Sequence, residues 1–182
     1  PEKIAKSALN PRVVAWSALP LDDNRRAANL TAADNALPWA SQPTQWPVSI
    51  DLQAGEGVVV VSGVVLDGRG VADPGQLPGH VEIFINLSGE PRGWRAVTSE
   101  RLNYKDGVAQ VRFAPLRARL LRLNFSGASN SGRVIALRRV ELRQGEVEYF
   151  RYGFTDLAAV NLKGDGGNAT CRVGVVAKTT HP

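Results

Sequence analysis

The apolar residues of this chain fall in short runs, most with a period of two, and glycine or proline stands between nearly all of them. Residues 108–113 alternate, with Ala109, Val111 and Phe113 on one side and Gln110 and Arg112 on the other. Residues 119–125 do the same and place Leu121, Leu123 and Phe125 on a common face. Residues 58–66 are almost continuously apolar, the pattern of a central strand buried on both faces. Further strands are predicted at 13–16, 48–52, 81–87, 94–97 and 134–142. The 18 Gly and 11 Pro supply the turns, including 54–57 and 88–93, and the long loop 67–79. No stretch has a convincing helical period. About eight strands with polar and apolar faces have a natural solution: two packed antiparallel sheets, an all-β sandwich.

A chain of 182 residues is long enough for one such core. Three regions follow. Residues 1–28 are an N-terminal arm with the first strand, residues 29–145 are the sandwich, and residues 146–182 are a C-terminal extension. The extension is too short for its own core, and residues 157–162 and 170–177 are expected to pair as a hairpin.

Net charge is +5, from 22 Lys and Arg against 17 Asp and Glu, and only five of the basic residues are Lys. An arginine fork binds planar oxyanions with two parallel hydrogen bonds. No basic run forms a tail, and aromatics do not alternate with the basic residues, so no nucleic-acid partner is expected. Cys171 is the single cysteine, which excludes an intramolecular disulfide. His80 and His181 are the only histidines. No nucleophile elbow, metal-ligand spacing or phosphate loop is present, so no enzyme activity is expected. The first residues lack the apolar segment of a signal peptide, and no run has transmembrane length. A chain without Met that opens on Pro1 reads either as a trimmed mature protein or as a domain of a larger one.

Residues 29–52 read NLTAADNALPWASQPTQWPVSIDL. The order of Trp39-Ala40-Ser41, Gln45-Trp46 and Ile50-Asp51-Leu52 resembles the opening of discoidin-like, galactose-binding-like domains, the type of family 32 carbohydrate-binding modules. The strands at 61–65 and 80–85, the turn to Trp94, the Arg122-Leu123 ending and the closing strand 135–142 continue the resemblance. It implies a jelly-roll sandwich that binds ligands through apical loops and performs no catalysis. Arg69 falls where many sugar-binding members carry an arginine. Asp22 or Asp23 is placed for an acidic contact from the first loop, and Asn130 and Arg133 for contacts from the late loop 126–133. The resemblance places the family's calcium ligands at Ala32, Leu37 and Arg139. Two aliphatic side chains and a guanidinium cannot supply the oxygens calcium needs. No metal or other cofactor is therefore expected, and Arg139 is expected to substitute the ion's charge by pairing with Asp34 or a backbone carbonyl. The histidine that often follows the family's Trp is Ala40 here. Trp39 and Trp94 are read as packing residues, Trp46 as a cap on the sheet, and Trp16 as the least constrained of the four.

Two functions follow as expectations. The first is a structural subunit of a larger assembly, such as a phage tail, neck or capsid-decorating protein. Its arms would engage other chains, its apical loops would bind a surface polysaccharide, and its place would be the virion or cytoplasm. The second is a carbohydrate-binding module of a bacterial glycan-active protein, extracellular if it belongs to a larger secreted one. No membrane partner is expected in either case.

Overall fold

The structure, a computed structural model, describes residues 9–32, 37–129 and 133–145. The chain divides into two compact units, Pro1–Val147 and Glu148–Pro182. The predicted C-terminal hairpin lies outside the described residues.

Among the described residues of the first unit ten strands form: β1 (Arg12–Trp16), β2 (Trp39–Ala40), β3 (Val48–Gln53), β4 (Val59–Asp67), β5 (His80–Asn86), β6 (Trp94–Arg101), β7 (Val108–Ala118), β8 (Leu120–Ser126), β9 (Ala136–Leu137) and β10 (Arg139–Gln144). Two single-turn 3-10 helices, Ala27–Thr31 and Pro74–Gln76, are the helical elements among the described residues. One sheet has the order β1-β3-β8-β5-β6, a second β10-β4-β7, and β2 pairs with β9. Every pairing is antiparallel. The fold is thus the expected all-β sandwich.

Register explains the core. Ile50, Leu123 and Ile83 stand opposite one another across β3, β8 and β5, as do Leu52, Leu121 and Ile85. These six are buried and face Val61, Val64, Leu66, Ala109, Val111 and Val140 of the second sheet. The alternation in residues 119–125 is therefore the inward face of β8.

Three expectations need correction. Residues 58–66 are not buried on both faces: β4 is central in its sheet, but Val60, Ser62 and Val65 are half-buried on its outer side. Its continuous apolar run therefore does not mark equal burial of the two faces. β7 runs to Ala118 and not to 113, because residues 113–115 bulge out between the pairs Gly63–Arg112 and Val61–Leu116. Pro115 lies in that bulge, where no ladder donor is needed. Finally, 134–142 is two strands. Arg138 interrupts them and donates its backbone N–H to the Asp67 carbonyl at 2.8 Å.

The same register collects the loops. Trp16 pairs with Ile50, Val48 with Phe125, and His80 with both Ser126 and Arg101. In the other sheet Asp67 pairs with Val108 and Arg139. The connections after β1, before β3, after β4, after β6 and after β8 therefore all leave from one rim of the sandwich.

Candidate functional site

Asp67 ends β4 at this rim, and Arg69 follows two residues later. The Arg69 backbone N–H donates to Asp67 Oδ1 at 2.9 Å, a tight local turn of the kind aspartate favours. The Arg69 side chain returns to the same carboxylate, Nε to Oδ1 at 3.0 Å and Nη2 to Oδ2 at 2.8 Å. The Asp67 side chain is 10% exposed, while that of Arg69 remains 61% exposed. Burial pushes the Asp67 carboxyl up, but the hydrogen bonds and charge of Arg69, with Arg138 adding to them, outweigh it and hold the group below the usual aspartate range. Asp67 in turn raises the Arg69 guanidinium. Gly107 makes room for the arginine stem: its φ is +76°, and a Cβ there would lie 2.7 Å from Arg69 Cγ. The result is a charged fork fixed in orientation and still open to solvent.

The other expected residues are held differently. Asp22 Oδ1 accepts from the Asn24 N–H at 2.9 Å, and its Oδ2 lies 3.5 Å from Arg25 Nε. Asp23 is almost fully exposed and 3.9 Å from Arg26 Nη2, while Arg26 Nε donates to the Asp23 carbonyl at 2.7 Å. Both carboxylates are thus paired within their own loop. Arg133 is exposed with φ +51°. Asn130 lies outside the described residues.

Backbone bonds sort the loops into two groups. Leu21 donates to Ala40, Ser41 to Ile135, and Ile135 to Ser41 Oγ, joining the loops of Asp22, Asp23 and Arg133. Gly68 donates to Gly107, joining the loop of Arg69 to the β6–β7 connection. Among the described residues no hydrogen bond or ion pair links Arg69 to Asp22, Asp23 or Arg133.

Of the four tryptophans, Trp39 is fully buried and Trp46 half-buried against the core. Trp94 is half-buried, and Arg122 Cζ sits 4.3 Å from its ring centroid. Trp16 is 51% exposed at the rim end of β1, followed by Leu19 at 66%. It is the most exposed tryptophan of the four, and it was not among the site residues named from the sequence. Its signal was its place at the end of a short strand before a polar loop.

At the positions of the family's calcium ligands, Arg139 Nη2 lies 3.4 Å from the Ala32 carbonyl and Nη1 lies 3.6 Å from Glu141 Oε1. A backbone carbonyl was one of its two expected partners; Asp34 lies outside the described residues. Leu37 is 41% exposed. Beside Arg139 is a cleft of about 260 Å³ lined by Leu9, Pro11, Thr31, Ala32 and residues 139–142. Ala32, Leu37 and Arg139 do not fit a calcium ion, since the guanidinium repels it and the two aliphatic side chains give no oxygen. Among the described residues no group of three or more His, Cys, Asp and Glu side chains is placed to hold a metal.

No protein-family model matches the sequence, and no curated protein matches it. Solved structures do match. The C-terminal domain of a chitobiase from Bacteroides fragilis superposes with a TM-score of 0.63 at 17% identity, over 78% of this chain and 98% of that one. The family 32 carbohydrate-binding module of Clostridium perfringens NanJ, in complex with galactose, gives 0.58 at 14% identity over 72% and 98%. Chitosan-binding module 1 from a chitosanase/glucanase of Paenibacillus sp. IK-5, as a selenomethionine-labelled mutant, gives 0.60 at 18% over 77% and 98%. The chain has the discoidin-like, galactose-binding-like fold of family 32 carbohydrate-binding modules. None of these structures points to a virion or an assembly subunit.

Proposed function

We propose that this chain is a non-catalytic carbohydrate-binding module of a larger glycan-active protein, with its site on the loop rim. The virion reading has no support among the structural neighbours, and the module reading takes its place. The observation that carries the proposal is the Asp67–Arg69 clamp. An arginine tied by three hydrogen bonds to a nearly buried carboxylate, yet 61% exposed, loses little freedom when it binds something outside. Trp16 supplies the complementary group, an exposed ring on which the apolar face of a sugar stacks. Asp22, Asp23 and Arg133 occupy neighbouring loops and supply polar contacts to sugar hydroxyls.

A glycan array followed by titration calorimetry tests this. Binding of at least one glycan is expected, weakened about tenfold in Arg69→Ala or Trp16→Ala. The variant that loses more affinity identifies the half of the rim that holds the sugar. An array without binding, or affinity unchanged in both variants, overturns the proposal.

A further inference from the structure

The three-stranded sheet turns a second, differently built surface outward. On β7, the exposed Gln110 and Arg112 alternate with the buried Ala109 and Val111, and Arg117 is exposed next to the buried Ala118. On β10, Arg139, Glu141 and Arg143 alternate with the buried Val140 and half-buried Leu142. Gly63 of β4 pairs with Arg112 on one side and Arg143 on the other. These two arginines therefore stand two strand spacings apart, about 10 Å. Arg139 lies four residues along β10 from Arg143, about 13 Å.

Gly63 is what makes this surface. A Cβ there would lie 2.5 Å from the Val111 carbonyl oxygen and 3.5 Å from Arg143 Cδ. Without that carbon the Arg143 stem crosses the sheet, and Nη2 donates to Gln110 Oε1 at 2.9 Å. The guanidinium is thereby laid across the middle of the face. Four arginines share the surface with two carboxylates, Glu141, which pairs with Arg139, and the nearly buried Asp67 at its end, which Arg69 holds, and no aromatic residue of β4, β7 or β10 stands on it.

We propose that this face is a docking surface for a carboxylate-bearing polysaccharide. The clustered like charges favour an anionic chain, and the planar forks match carboxylates bidentately. The flat row of arginines along and across the strands suits an extended polymer and not a single buried anion. With no ring on these three strands to stack a base, the face they form lacks the platform that single-stranded nucleic acid uses. The class of polymer rests on the proposed carbohydrate-binding function, but the location does not, since Trp16 of β1 belongs to the other sheet.

The probe is alginate, with dextran as its neutral counterpart, in affinity electrophoresis and calorimetry on the full chain. Alginate binds and dextran does not, and affinity falls steeply as salt rises from 50 to 300 mM, roughly the response of a multi-charge contact. Arg112→Gln/Arg117→Gln, both exposed positions, weakens alginate binding about tenfold, while Trp16→Ala leaves it unchanged. Loss of alginate binding in Trp16→Ala instead relocates the contact to the rim and overturns the proposal. So does affinity unchanged in the double variant, equal retention on dextran, or tighter binding of single-stranded DNA than of alginate at the same salt. The salt series needs no variant, so a folding defect in the double substitution still leaves a decisive measurement. Absence of neutral-glycan binding at the rim, with alginate binding intact, sinks the rim reading and leaves this one standing.

Discussion

Two aspartate–arginine pairs in this molecule have nearly the same geometry and opposite settings. Asp51 and Arg122 meet across β3 and β8, Nε to Oδ1 at 2.7 Å and Nη2 to Oδ2 at 2.8 Å. Asp67 and Arg69 meet within one turn at 3.0 and 2.8 Å. In both, the carboxylate is nearly covered, at 12% and 10% side-chain exposure. The arginines differ. Arg122 is 35% exposed and lies over the Trp94 ring, so its free face is used by the protein. Arg69 is 61% exposed, and among the described residues no ring lies over it. The same fork thus locks a sheet in one place and presents a charge to solvent in the other. What decides is the surface around the guanidinium, not the bond to the carboxylate.

The comparison breaks most sharply at Arg122. Arg122→Ala leaves the covered Asp51 carboxylate without its fork and removes the contact over Trp94. We expect a loss of about 2–3 kcal/mol in a urea melt, below the ~3–5 kcal/mol of a fully buried pair because water already screens part of this arginine. Glycan binding should be untouched in the variant at a temperature where it is folded. A loss under ~1 kcal/mol would place Arg122 with ordinary surface pairs. A smaller effect is expected at Gly107. Gly107→Ala puts a side chain at φ +76° and a carbon within 2.7 Å of Arg69 Cγ. A cost of about 1–2 kcal/mol is expected, from backbone strain and displacement of the arginine. Affinity at the rim should fall together with stability, which Arg122→Ala should not cause. Unchanged affinity in Gly107→Ala would show that the orientation of Arg69 does not matter.

How much of this was legible in the sequence depended on the range of the interaction. The period-two runs gave β7 and β8 and the inward Leu121, Leu123 and Phe125, because alternation is a local property of a strand. The bulge at 113–115 was not legible, since it exists only relative to the register of β4. The Asp51–Arg122 pair spans 71 positions and needs the pairing of β3 with β8 before it can be seen. Arg69 was found through the resemblance, whereas its holder Asp67, two residues away, was passed over as the first residue of a loop. The burial of Trp39 and the exposure of Trp16 differ because one pairs inside the sandwich and the other ends an edge strand. The parity of Arg112 was visible in the sequence. That β7 and β10 flank the same glycine was not, and only that neighbourhood makes a charged face.

The most delicate way to sharpen the comparison is pH. The Asp67 carboxyl is held below its ordinary range chiefly by Arg69, against the opposing effect of burial. Its folded pKa is therefore lower than its unfolded one. The ionised pair stabilises the fold above the unfolded value, and that contribution drains away as pH falls through the folded value, below about pH 4. Asp67→Asn keeps an oxygen to accept the Arg69 backbone N–H but cannot titrate. Stability of the unaltered chain should thus fall more steeply than that of the variant between about pH 5 and 3, by less than ~1 kcal/mol because Arg69 is well exposed and screened. The same substitution at neutral pH loosens Arg69, so rim affinity should drop there without any comparable loss of fold. Parallel pH curves for the two proteins would mean that Asp67 carries no extra charge stabilisation. The fork would then be a geometric device alone, held by the turn and the packing of Gly107.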